Sequence, residues 1–393
     1  MSSNNRIFYA CQGVAISNMG VVSGVGSDPT LHPRTFLMPA NMVHGVQSVS
    51  MTTTFNPEQA FELGQIEIYE NIEGTPDIEV SIEKAIDGYP LVYHMATTGV
   101  AGGSPANSGL SNRSKQRCDL RLGIFDEGSN NIGSAATGAG GSGIPEVEIY
   151  CSGMFVGSVG YTIPVDGFAT ESISLVGNNK QWLTGANVHI GPGAADEFDG
   201  NDSPLALGVA GAPSGGIQRR EDVMLNKCIF PASVRGTTGT AAGNAHLADD
   251  TGLFSSGIGI HVQNVSINTD FSREDVFELG RKTPYYRPAG FPIEVTCEIE
   301  AITTSGDFVF AFENGDPALD GTVSSGNNTQ EESIFIELRG GHAFDLGAKN
   351  RLTSVTYGGG DATGGNVSTS YSYTNFNDLD VQWSGDYIGF NQI

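Results

Sequence analysis

The chain has 393 residues, with 44 acidic against 19 basic side chains, a formal net charge of −25 and a pI near 4.4. That balance excludes a general phosphate-gripping surface, because neutralising nucleic acid takes clustered Lys and Arg. Charged residues are only 16% and hydrophobic ones 39%, while Gly numbers 54. The chain is therefore not an acidic coil but a β-rich, turn-rich protein able to bury a core.

From the N-terminus, Met1–Arg6 lacks a basic segment leading into an apolar run, so Sec export is not expected. No stretch reaches the roughly 18 apolar residues that span a bilayer, and no membrane association is expected. The first regular element is Ser48–Phe55. Val49, Met51, Thr53 and Phe55 alternate with Ser48, Ser50, Thr52 and Thr54, the period of a half-buried strand. A short helix is predicted next. Asn56 suits its N-cap, Pro57 its first position, Gln59 a capping box, and Gly64 the left-handed residue that ends it. A second strand follows, with Ile78, Val80 and Ile82 on one face and Glu79, Ser81 and Glu83 on the other. Further strands are predicted at Asp119–Phe125, Pro145–Cys151 and Glu171–Val176. The Gly/Ser/Ala/Asn-rich loops Thr97–Ser111 and Gly128–Gly143 lie between them.

The pattern then recurs. Val262–Pro292 aligns without a gap on Val46–Pro76, at about 14 of 31 identical positions. Asn264–Phe271 repeats the first strand, Ser272 and Gly280 bracket the second helix, and Ile293–Ile299 repeats the second strand with one residue lost. That alignment sets Glu294 on Glu79 and Glu298 on Glu83. Strands at Phe308–Phe312, Ser333–Arg339 and Ser368–Tyr373 complete the second copy. The expected division is a first domain 1–200, a linker 201–222 and a second domain 223–393, with Gly236–Leu253 a loop early in the second. The fold class is mainly β: two tandem sandwich or partial-barrel domains, each with one short packed helix.

Chemical motifs are sparse. There is no P-loop, HExxH or Gly-x-Ser-x-Gly. Gly138, Gly140 and Gly143 match GxGxxG only inside a Gly/Ala tract, without the strand and helix a dinucleotide site needs. Asp196–Asp202 lacks EF-hand spacing and reads as solvated linker. Cys11, Cys118, Cys151, Cys228 and Cys297 form no CxxC pair and read as buried small apolar residues of a reducing compartment. The seven histidines are scattered. Glu79/Glu83 and Glu294/Glu298 could be taken for a carboxylate dyad, but no nucleophile accompanies them. Neither an enzyme, a metal nor a cofactor is expected.

The stretch VQSVSMTTTFNPEQAFELGQIEIYENIEGTPDIEVSIEKAI (46–86), its copy at 262–302 and the opening Asn5–Gly13 resemble the tail tube proteins of tailed bacteriophages. The resemblance implies a β-sandwich whose inner sheets join into a sixfold ring, rings that stack through extended loops, and an acidic lumen that carries DNA. Two copies per chain then imply trimeric rings. On this reading Glu79, Glu83, Glu294, Glu298, Ser48, Ser50, Asn264, Ser266 and Asp270 face the lumen. Tyr69, Glu70, Asn71, Glu73, Tyr285, Tyr286 and Arg287 belong to inter-ring or inter-subunit loops. The implied partners are further copies, a tail terminator, baseplate or tail-tip proteins, and in contractile tails a sheath. DNA passes through without specific binding. The implied location is the virion tail, assembled in the host cytoplasm. A capsid decoration protein or an adhesin-like sandwich shares the composition but does not account for acidic faces on paired copies.

Overall fold

Strict alternation makes a strand two-faced, and two-faced strands must line up with their apolar sides together. The computed structural model follows that rule; it describes residues 12–18, 41–64, 66–97, 109–124, 145–185, 188, 216–225, 227–235, 260–303, 309, 331–358 and 367–383. Strand β3 (Val46–Thr54) pairs antiparallel with β6 (Asp77–Ala85), and β6 pairs with β9 (Thr170–Gly177). β9 in turn pairs with the C-terminal part of β8 (Val147–Pro164). Ile78, Val80, Ile82, Ile173 and Leu175 point to the buried side, while Glu79, Ser81 and Glu83 are exposed. Each of these buried aliphatic side chains contributes about 1.5–3 kcal/mol of burial.

The second half repeats the arrangement. β11 (Ile260–Asp270) pairs with β12 (Glu294–Thr303), β12 with β16 (Ser368–Phe376), and β16 with β15 (Arg351–Gly358). The halves are joined edge to edge, since β8 pairs with β11 from Pro164/Asn264 to Ser158/Asp270. One sheet therefore runs β3-β6-β9-β8-β11-β12-β16-β15, with β3 and β15 at its two edges.

A second layer covers the apolar side. In the first half the N-terminal part of β8 pairs with β7 (Cys118–Ile124) and β10 (Asn179–Thr184). Beyond β7 come β1 (Gln12–Asn18) and β2 (Asn41–Met42). In the second half the layer is β13 (Phe335–Glu337), β14 (His342–Asp345) and β17 (Asp380–Trp383). One apolar cluster fills the space between layers, from Ile16 and Leu120 to Phe344 and Val381. Helix α1 (Val92–Thr97) is buried within it. The Glu171 carboxylate accepts the first amides of that helix, from Val92 at 2.6 Å and Tyr93 at 3.0 Å. Such a cap satisfies donors that have no partner inside a helix. Among the described residues the other α-helices, α2 (Leu110–Arg113) and α3 (Ala232–Arg235), are single turns.

Three sequence expectations are corrected. The helices predicted after β3 and β11 are absent; the short helix packed in the core of the described residues is α1, which follows β6. Residues 56–64 instead enter a hairpin of β4 (Glu58–Phe61) and β5 (Ile68–Ile72). In the second half the corresponding bridge is Val276 to Tyr286. The reason is packing: two helical turns need a surface to dock on, and here Phe61, Leu63 and Leu279 have none beneath them. Gly64 and Gly280 do hold positive φ, 92° and 89°, but at hairpin tips. Asn56 donates to Asp77 at 2.9 Å rather than capping a helix.

Secondly, the copies correspond with one residue gained, not lost. β3 and β11 each carry a bulge, at Val46/Ser48 and Val262/Asn264, and just beyond it Ser48 faces Glu83 while Asn264 faces Glu300. Glu83 thus matches Glu300, Ser81 matches Glu298, Glu79 matches Thr296 and Asp77 matches Glu294. Ile-Glu-Val alternation fits itself at every even shift, so identity alone selected the wrong register. Thirdly, the predicted Pro145–Cys151 strand is the start of an 18-residue strand that serves both layers. Within the expected linker, Gln218 is buried, its N–H bonded to Ile86 O at 2.8 Å and its side chain accepting from Gly340 N at 2.8 Å.

Residues 1–11, the Gly128–Gly143 loop and its glycine motif lie outside the described residues. So do Asp196–Asp202, Gly236–Leu253, most of Thr97–Ser111 and all of Phe308–Phe312 except Val309.

Candidate functional site

The outward face of the long sheet is a continuous polar surface. Its first-half strands present Ser48, Ser50, Thr52, Glu79, Ser81, Glu83, Ser172 and Ser174. Asn264, Ser266, Asn268, Asp270, Glu294, Thr296, Glu298 and Glu300 continue it. Every residue expected on a common polar face stands there. Sequence reasoning left out Glu300, the serines of β9 and β16, and Arg351 at the β15 edge. The Ser-Thr-Ser-Tyr-Ser-Tyr alternation at 368–373 carried the signal for β16, but its side could not be assigned without the pairing.

Short hydroxyl side chains separate the carboxylates. Ser48 Oγ donates to Glu83 Oε2 at 3.3 Å and Ser370 Oγ to Glu298 Oε1 at 2.6 Å. Ser158 and Ser174 bond across β8 and β9 at 3.0 Å. Residues two apart on a strand stand ~7 Å apart. Arg351 is the single basic side chain on this face among the described strand residues. The face is therefore negative and well hydrated, and it has the chemistry to repel phosphate.

Two arms leave one end of the sheet. Residues 55–76 connect β3 to β6, and 271–292 connect β11 to β12. Both arms cross closely at their roots. A side chain at Gly74 would lie 1.8 Å from the Asn56 carbonyl oxygen, and one at Gly290 would lie 3.0 Å from that of Ser272. That crossing explains why both glycines recur in the copies. Arg273 Nε donates to Val156 O at 2.9 Å, Tyr286 meets Phe155 edge-on at 5.9 Å, and Arg287 Nη2 donates to Asp77 at 2.7 Å. The second arm thus lies across the end of the first half, and Thr75 donates to Lys282 O at 2.5 Å. Of the residues expected in reaching loops, Tyr69, Glu70, Asn71, Glu73 and Tyr285 are exposed, Tyr286 is half-buried and Arg287 is buried at the root.

The arms differ in charge. Residues 55–76 hold Glu58, Glu62, Glu67, Glu70 and Glu73 with no Lys or Arg; 271–292 hold Arg273, Arg281, Lys282 and Arg287 against Glu274, Asp275 and Glu278. Both tips are apolar, with Leu63, Ile66 and Leu279 fully exposed.

Other titratable groups sit in the core. Burial drives the pKa of His94 down to about 3, helped by Arg113, and that of His342 down to about 4. Cys118, Cys151, Cys228 and Cys297 are buried free thiols, pushed up by burial. Among the described residues no cluster of His, Cys, Asp or Glu is arranged to hold a metal, and no helix is long and apolar enough to cross a membrane.

No family model and no curated protein matches the chain. Solved structures that resemble it include the tube-terminating cap of the anti-feeding prophage, at 12% identity and a TM-score of 0.28. That alignment covers 47% of this chain and 95% of that one. A chain of the anti-feeding prophage baseplate aligns at 10% identity and a TM-score of 0.26, covering 46% and 97%.

Proposed function

We propose that this chain is the major tube subunit of a phage tail, each copy supplying two of six similar units in a ring. The observation that carries the reading is the unbroken sheet, buried on one face, acidic and hydroxyl-rich on the other, with edges β3 and β15 that pair with no further strand among the described residues. An open sheet of this length is an aggregation hazard unless its edges are paired, and closure into a ring removes them. With the acidic face inward, Glu79, Glu83, Asp270, Glu294, Glu298 and Glu300 line a lumen. They repel DNA phosphates, so the duplex slides without sticking.

The arms point along the axis, where their apolar tips meet the neighbouring ring. Tail terminator, baseplate or tip proteins close the ends, a sheath surrounds the tube in a contractile tail, and the tube functions in the virion after assembly in the host cytoplasm. The role is structural, without enzymatic chemistry. Electron microscopy of the purified chain, with mass per length on the same sample, tests the reading. Hollow tubes with three chains per ring are expected. A particle without a lumen, or a chain that stays monomeric even with baseplate added, overturns it.

A further inference from the structure

The joint inside the chain is a template for the joint between chains. Four strand pairings fix how the halves correspond, because their irregularities coincide. The bulge at Val46/Ser48 recurs at Val262/Asn264, and that at Val156/Ser158 recurs at Leu352/Ser354. β3 therefore matches β11, and the C-terminal part of β8 matches β15. The arms match too, with Ala60 opposite Glu70 as Val276 is opposite Tyr286. β8 pairs with β11 inside the chain, while their counterparts β15 and β3 pair with no further strand among the described residues and form the edges.

Side chains at the free edges fit that correspondence. Phe271, at the internal joint, is fully buried, and its counterpart Phe55 is 71% exposed. Tyr161 is 1% exposed, and its counterpart Tyr357 is 58% exposed. Each edge thus exposes a large aromatic group, Phe55 beside β3 and Tyr357 on β15, where its counterpart at the internal joint is covered. One pair has changed character. Phe155 and Tyr286 meet edge-on across the internal joint, and their counterparts are Arg351 and Glu70, both exposed. An aromatic pair inside the chain is replaced by opposite charges at the edges.

We infer that β15 of one chain pairs antiparallel with β3 of a second copy, with Met51 opposite Tyr357, Thr52 opposite Thr356, Thr54 opposite Ser354, and Arg351 ion-paired with Glu70 of that copy's first arm. The inference rests on the tube reading for its ring, and on the internal joint for its register.

Two measurements test it. In the double variant Thr52→Cys/Thr356→Cys, assembled protein should oxidise to a ladder that ends at a cross-linked trimer on a denaturing gel. Directly opposed Cβ atoms stand about 4.5–5.5 Å apart, within disulfide reach. Thr52→Cys/Ser354→Cys, displaced by one repeat along the strand, should cross-link far less. Separately, Arg351→Glu and Glu70→Arg should each weaken assembly about tenfold or more, and together restore it. Tubes that form without the 52–356 cross-link overturn the joint but leave the tube. A chain that neither assembles nor cross-links overturns both. Failure of the charge swap to restore assembly overturns the Arg351–Glu70 pair.

Discussion

Arg287 of the second arm donates to Asp77 at the start of β6, 2.7 Å away, and is ion-paired with Asp275 as well. Arg287 is buried while Asp77 is half exposed, so the pair is only partly screened by water. Replacing Arg287 by Met should cost roughly 1–3 kcal/mol and free the arm root. Urea denaturation should show the lost stability, and limited proteolysis should show faster cutting within 273–288. Unchanged proteolysis would mean that the arm is held by its backbone contacts alone.

Glu171 is the second fixed point. Its carboxylate is buried, caps α1 and accepts the Tyr161 hydroxyl at 3.3 Å. Glu171→Ala leaves two buried amides without an acceptor and should cost about 2–4 kcal/mol, while Glu171→Gln, which keeps one carbonyl, should cost less. Equal losses in the two variants would point to packing rather than capping.

Acid should unfold the protein through its core histidines. His94 and His342 are held neutral by burial, with pKa values near 3 and 4 against 6.5 in an unfolded chain. Their stabilising contribution is complete above pH 6.5 and declines as the pH falls toward 4 and then 3, by up to ~1.4 kcal/mol per pH unit for each residue. Glu171 works the other way, since burial raises its pKa and protonation there favours the folded state. Thermal melts from pH 7 to pH 4 should show a slope that flattens in His342→Gln.

The sign of the sheet face can be tested by reversing it. Glu→Lys at Glu79, Glu83, Glu294, Glu298 and Glu300 changes side chains that are exposed or half exposed, so folding should survive. Tubes of this variant should bind duplex DNA with an affinity that falls steeply with salt, while wild-type tubes should not bind. Phage carrying the variant should eject DNA more slowly. Normal ejection would place these glutamates away from the DNA path.

The arm tips offer a separate test. Leu63→Asp and Leu279→Asp alter fully exposed residues and should change monomer stability by less than about 0.5 kcal/mol. They should stop growth at single rings, as seen by sedimentation. Full-length tubes from the double variant would remove the tips from ring stacking.

Alternation made the strands legible, because burial on one face writes itself directly into sequence: Val49 to Thr53 and Ile293 to Ile299 needed no structure. The arms were not legible. Asn56, Pro57 and Gly64 spell helix ends, and only the absence of a surface beneath Phe61 and Leu63 decides against the helix. Register was equally hidden, since Glu79 aligns with Glu294 by identity and with Thr296 by pairing. β10 and β14 are short and set by their partners, β8 for the first and β13 and β17 for the second, so their own residues carried little signal. The polar face could be named in part, but Arg351 and Glu300 acquire meaning only from the strands beside them.

The unlike arms have a consequence for symmetry. In a ring of three such chains, an arm rich in glutamate alternates with one of mixed charge, so two kinds of address repeat three times around the axis. A cap or base with threefold symmetry can read both and lock at a fixed angle. A sixfold partner meets a related backbone at every step but different charge at alternate ones. It must either ignore the arm charges or settle for half of its contacts.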